Sequence, residues 1–177
     1  MNEVNVADSQ SLEEVRDSFI AQWGTYGSQW GINRTMAQIH ALLMTGTEAL
    51  STDEVMERLS VSRGNAHTNL KELVSWGLVR IVIKKGDRKE YFDAERDVWK
   101  IFTIILRERQ RREIDPALEL LRNCQEKTQG YEGEEAEVFR NQVKELENFV
   151  SFARNIGHKV DKLSYGPAKK LPYKFLS

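Results

Sequence analysis

At Gly77 the hydrophobic period of this chain changes, and that change limits the folds open to it. Upstream, apolar residues recur every three or four positions, as they do on helices. Downstream, Leu78-Val79-Arg80-Ile81-Val82-Ile83-Lys84 reads as a strand with a twofold period. Lys85-Gly86-Asp87-Arg88 reads as a turn and Lys89-Glu90-Tyr91-Phe92 as a returning strand. From about Ala94 the pattern is helical again. One short hairpin set between helical segments predicts a mainly α protein with a small β-hairpin (α+β).

The helices ahead of the hairpin carry their own start and stop signals. Ser11 with Glu14 three residues later is a capping box. It opens a helix to about Gln29, with Leu12, Val15, Phe19, Trp23 and Tyr26 at helical spacing. Asn33 can cap a second helix that buries Met36, Ile39, His40 and Leu43 and stops at Gly46. Ser51 and Glu54 form another capping box, for a short helix with Val55, Met56 and Leu59 inward. Ser62 caps the next helix, which turns Ala66, Leu70, Leu73 and Val74 inward and ends at Gly77. The other face of that helix carries Arg63, Gly64, Asn65, His67, Thr68 and Lys71.

Charge is distributed unevenly along a chain whose formal net charge is only −1. Between residues 61 and 89 stand Arg63, Lys71, Arg80, Lys84, Lys85, Arg88 and Lys89 against Glu72 and Asp87 alone. Residues 1–50 are acidic. A basic block within a neutral chain is a candidate anion-binding surface. Helix, turn, polar-faced helix and basic hairpin together make the winged helix-turn-helix arrangement. A helix fits the major groove of DNA and presents its first turns to base edges. Its N-terminus aims backbone N–H groups at a phosphate, and Gly64 lets that backbone come close. Asn65 suits adenine and Arg63 suits guanine or phosphate, with His67, Thr68 and Lys71 on the same face. Lys84, Lys85, Arg88 and Lys89 are placed for the backbone or the adjacent minor groove. The alternative is a winged helix used for protein contacts, with a solvated hairpin.

The stretch "LSTDEVMERLSVSRGNAHTNLKELVSWGLVRIVIKKGDRKEYF" resembles the MarR-type winged-helix transcriptional regulators. "GINRTMAQIHALLM" before it and "VWKIF" after it resemble the GbsR-like branch of that family. The resemblance implies a homodimer on a pseudo-palindromic operator in double-stranded DNA. It makes Ser62–Lys71 the recognition helix and repression the commoner mode. It also matches Asp87-Arg88 to the family's wing-tip pair, with Arg88 in the minor groove and Asp87 orienting it. Because the GbsR-like branch includes regulators of choline and glycine betaine metabolism, the aromatics Trp23, Tyr26, Trp30 and Trp99 become a candidate effector site. Aromatic faces attract quaternary ammonium groups. The competing role for these rings is core or dimer interface.

Beyond the hairpin, "VWKIFTIIL" at Val98–Leu106 is apolar nearly all round. Asp115-Pro116 suits a helix start, so the helix is expected to break or restart there. Leu118, Leu121 and Cys124 follow on one face. The last helix has Ala136, Phe139, Val143, Leu146, Val150 and Ala153 at heptad spacing. A winged core cannot cover both apolar segments, so dimerisation is expected; the other possibility is that the two helices pack on each other within one chain. The resulting division is a disordered segment 1–10, a dimerisation helix 11–30, a winged helix-turn-helix 31–93, a helical dimerisation region 94–160 and a basic tail 161–177.

Several classes are set aside. No phosphate-cradling glycine loop, HExxH, nucleophile elbow or dinucleotide fingerprint occurs, so neither an enzyme nor a cofactor is expected and no residue is assigned to catalysis. His40, His67, His158 and Cys124 are too far apart in sequence to suggest a metal site. Cys124 is the only cysteine, which fits a reducing compartment. The polar start of the chain lacks an apolar signal region, and no apolar run is long enough to span a bilayer. The expectation is a cytoplasmic protein without membrane contact.

Overall fold

A computed structural model of the chain describes residues 11–165. The expected disordered segment 1–10 and the part of the expected basic tail beyond residue 165 lie outside the described residues. The chain divides into two compact units, residues 1–96 and 97–177.

The first unit contains α1 (Leu12–Gln29), α2 (Arg34–Thr45), β1 (Leu50–Ser51), α3 (Thr52–Leu59), α4 (Arg63–Trp76), β2 (Val79–Ile83) and β3 (Glu90–Ala94). The start signals act as expected. Ser11 and Ser51 each accept from the N–H three residues on, and Glu14 and Glu54 reciprocate. Asn33 accepts from Met36 N–H at 3.1 Å, and Ser62 from Asn65 N–H at 3.3 Å. Each such cap is worth about 1 kcal/mol. Gly77 ends α4 at φ +81°, a left-handed conformation that glycine adopts without a Cβ penalty.

Two strands were expected, and the sheet has three, in the order β1-β3-β2, both pairings antiparallel. The extra strand is two residues long, too short to leave a period in the sequence. Phe92 pairs with Leu50 on one side and Ile81 on the other and is fully buried. Ile39, Leu43, Val55, Leu70 and Leu73 complete the core of this unit. Burial of side chains of this size contributes about 1.5–3 kcal/mol each. On the sheet's flank Asp93 accepts from Arg80 at 2.6 Å and Arg96 at 2.8 Å. Burial pushes its carboxyl up, but the hydrogen bonds from Arg96 and Arg80 prevail and hold it below the usual range.

Within the unit, α1 packs by a side other than the one its large apolar residues mark. Leu12, Val15, Phe19, Trp23 and Tyr26 are exposed, whereas Ile20 and Gly24 are buried. A Cβ on Gly24 would lie 2.5 Å from Gln38 Cγ, and one on Gly27 would lie 2.6 Å from Ala37 Cβ. Close approach to α2 therefore runs along a small-residue line, which a search for large apolar residues passes over.

The second unit contains α5 (Val98–Arg109), a π-helical turn (Gln110–Ile114), α6 (Asp115–Thr128) and α7 (Glu134–Tyr165). Asp97 caps α5, accepting from Trp99 and Lys100 N–H. Of the break or restart expected at Asp115-Pro116, the structure has the restart: α6 begins at Asp115 with Pro116 in its first turn, and because Ile114 and Asp115 are both right-handed helical, a widened turn leads into it without a gap. Proline lacks an N–H and its ring clashes with the carbonyl four residues back. Asp115 N–H donates to Gln110 O instead, the five-residue spacing of a π-turn. The core here holds Ile101, Thr103, Leu118 and Val143. The heptad seam of α7 is split: Val143 is buried and Ala136 and Val150 half-buried, but Phe139, Leu146, Phe149, Phe152 and Ile156 remain exposed. Likewise Val98, Trp99 and Phe102 of the apolar segment are exposed. α7 continues to Tyr165, past the boundary expected at residue 160.

Candidate nucleic-acid interface

The candidate surface lies on the first unit and is built by α3, α4 and the β2–β3 hairpin. α4 buries Ala66, Asn69, Leu70 and Leu73 and leaves Ser62, Arg63, Gly64, Asn65, His67, Thr68 and Lys71 exposed. A Cβ on Gly64 would meet nothing within 4 Å among the described residues, none of which therefore requires a glycine there. The side chains of His67 and Thr68 have no hydrogen bond or ion pair with described residues.

Other members of the expected set are already engaged within the protein. Asn65 Nδ2 donates to Thr35 Oγ1 at 3.3 Å, and Asn69 Nδ2 donates to Asn65 Oδ1 at 2.7 Å and to its backbone O at 2.9 Å. Arg63 pairs with Asp53 on α3, and Lys89 Nζ reaches the other oxygen of that carboxylate at 3.4 Å. Lys71 Nζ lies 3.2 Å from Glu90 Oε2. These pairs are solvent-exposed, and such pairs contribute only about 0.2–1 kcal/mol each, so they exchange readily for other anions.

The wing is ordered from within. Gly86 sits at φ +87°, in the left-handed region, and makes the turn. Asp87 accepts from Lys89 N–H at 3.0 Å and from Tyr91 Oη at 2.7 Å, and these bonds hold its carboxyl below the usual range. Asp87 thus shapes the turn that carries Arg88. Lys84 Nζ lies 3.8 Å from the centre of the Tyr91 ring, a cation–π contact. Lys85 and Arg88 are exposed and have no side-chain partner among the described residues.

Sequence reasoning missed Asp53, Glu90, Asn69, Thr35 and Tyr91. Asp53 and Glu90 are ordinary surface carboxylates until folding brings them to cations 10 and 19 residues away. Asn69 had a local signal, since it lies one helical turn from Asn65 on α4.

The expected effector aromatics fall on both units. Trp23, Tyr26 and Trp30 belong to the α1 region of the first, where Phe19 and Trp23 have ring centroids 5.4 Å apart. Trp99 belongs to the second, edge-on to Phe102 at 6.4 Å. The second unit also has an open groove of about 470 Å³ lined by Asp115, Leu118, Arg122 and Arg154, with no aromatic residue. His40 is buried, its Nε2 has no hydrogen-bond partner among the described residues, and burial lowers its pKa to about 4. Among the described residues no group of three potential ligands could hold a metal ion, and no helix is long and apolar enough to cross a membrane.

Three helices, a two-stranded wing and an exposed polar face on the third of those helices define a winged helix-turn-helix protein. Residues 30–90 match the family model described as MarR family. The HTH-type transcriptional repressor GbsR of Bacillus subtilis (strain 168) is 28% identical over 104 residues, covering 59% of this chain and 57% of that protein. The chain therefore matches little more than half the length of that relative. A solved structure described as the crystal structure of a transcriptional regulator superposes with a TM-score of 0.67 at 17% identity, over 86% of this chain and 99% of that one.

Proposed function

We propose that this protein is a homodimeric, sequence-specific DNA-binding transcriptional repressor of the cytoplasm, acting on a pseudo-palindromic operator in double-stranded DNA. The observation that carries the reading is the wing tip, where Lys85 and Arg88 stand exposed, with no side-chain partner among the described residues, on the same unit as the polar face of α4. In this reading α4 enters the major groove, with His67 and Thr68 free to meet base edges. Ser62 and Gly64 bring the helix N-terminus to a phosphate. Lys84, Lys85, Arg88 and Lys89 follow the backbone or the neighbouring minor groove.

The alternative is a winged-helix module for protein contacts. It draws support from Asp53 and Glu90, which already neutralise Arg63, Lys89 and Lys71. Fluorescence anisotropy on duplexes selected from random DNA separates the two. DNA binding weakens steeply with salt, since each neutralised phosphate releases counterions. Arg88→Ala and Lys71→Ala should each lower affinity and reduce the salt slope by about 1. Asn65→Ala should relax sequence preference. No DNA affinity at low salt rejects the proposal and leaves the alternative.

A small-molecule effector belongs to the same reading. Trp23, Tyr26 and Trp30 offer exposed ring faces on the α1 region, and Trp99 offers one on α5. Each ring attracts a quaternary ammonium such as choline or glycine betaine by about 0.5–2 kcal/mol. Tryptophan fluorescence titrated with both compounds tests this, and an unchanged spectrum removes it.

A further inference from the structure

We propose that Asp53 is a specificity-determining residue, a built-in carboxylate competitor that suppresses binding to random DNA; this rests on the DNA-binding reading above. Asp53 is in the first turn of α3, and its side chain is 44% exposed. Its two oxygens hold cations from two different elements. Oδ1 takes Nη2 of Arg63, the first residue of α4, and Oδ2 lies 3.4 Å from Nζ of Lys89 beside the wing. One carboxylate therefore ties the start of the helix that would read DNA to the hairpin that would grip the backbone.

A carboxylate on an arginine fork presents the same charge and oxygen geometry as a phosphate. Binding to random duplex consists almost wholly of cation–phosphate contacts. To bring both Arg63 and Lys89 onto phosphates, Asp53 must release both and then remain beside the DNA as an uncompensated negative charge. Operator binding makes a smaller demand. Arginine has five N–H donors in a fixed fork, and only one nitrogen of Arg63 is held by Asp53. The rest of the fork can meet a base edge with the pair intact, and the carboxylate then fixes its orientation. The competitor thus weakens non-specific binding more than specific binding.

The test compares wild type with Asp53→Asn, which removes the charge and keeps the shape. Anisotropy is measured on the selected operator and on a random duplex across a salt series. Expected is a gain of about two- to five-fold on the random duplex, the scale of an exposed ion pair, with a smaller gain on the operator. The salt slope on the random duplex should steepen by about 1. Both gains should vanish in an Arg63→Ala/Lys89→Ala background. Equal gains on both duplexes, a loss on either, no change, or a gain that persists in that background overturns the proposal. Asp53→Ser is the second variant should Asp53→Asn fail to fold. Wild type without salt-sensitive affinity for any duplex fails the DNA-binding reading itself, and this inference with it.

Discussion

Gly64 and His40 show what single residues decide here. Glycine in a helix costs up to about 1 kcal/mol relative to alanine, and none of the described residues occupies the space a Cβ on Gly64 would fill. Gly64→Ala should therefore melt at the same temperature or higher while binding DNA more weakly, if a phosphate approaches that backbone. Thermal denaturation and anisotropy on the one variant measure both. His40 is buried, with no hydrogen-bond partner for Nε2 among the described residues, and its pKa is about 4, below the 6.5 of an unperturbed histidine. Between those values the unfolded chain takes up a proton that the folded chain refuses. Stability is then complete above pH 6.5 and falls as pH drops toward 4, by about 3 kcal/mol for a shift of this size. Urea denaturation at pH 7, 5.5 and 4.5 should show that fall, and His40→Leu should flatten it. Lowered carboxylates such as Asp93 act in the same direction at lower pH, as it falls through their folded values.

At the scale of elements, packing sides were harder to foresee than element ends. Capping signals placed the starts of α1 to α4 because a cap is a local hydrogen bond between residues three apart. The packing side of α1 is not local: it follows from how closely α2 can approach, and glycine permits the closest approach. Gly27→Ala should destabilise the first unit by about 1–3 kcal/mol, since the new Cβ meets another Cβ and not a flexible side-chain end. Gly24→Ala should cost less, because rotation about the Cα–Cβ bond of Gln38 can move its Cγ away, whereas Ala37 Cβ is fixed to the backbone of α2. Chemical denaturation ranks the two. The continuous helix through Pro116 is likewise a compromise between a residue that favours a start and flanking residues that favour continuation, met by widening one turn.

At the scale of the whole molecule, each unit leaves apolar surface open to solvent. On the first it is Leu12, Phe19, Trp23, Tyr26 and Trp30; on the second it is Val98, Phe102, Phe139, Phe149 and Phe152. Where such exposed apolar residues are numerous on one element, as on α1 and α7, they are candidates for an interaction surface. The homodimer we propose should sediment as such at micromolar concentration. Phe19→Glu should shift it toward monomer without unfolding the first unit, because Phe19 lies on the exposed side of α1 and not on the side facing α2. A wild-type monomer at that concentration removes the dimer.

The chain by itself determined the order and type of its helices, the hairpin and the basic block between residues 61 and 89. Those properties rest on periodicity, caps and glycine turns, which act over a few residues and are written in order along the sequence. It also announced the polar face of α4, since a helix buries one side and Ala66, Leu70 and Leu73 identify which. Only tertiary structure decided the third strand, the glycine seam of α1 and the state of the cations. Arg63, Lys71 and Lys89 look free in a linear reading and prove to be held by Asp53 and Glu90. Lys85 and Arg88, at the wing tip, have no side-chain partner among the described residues. The reason is range: a salt bridge across 10 to 36 residues exists only once the chain has folded back, and no local pattern selects which carboxylate will be waiting.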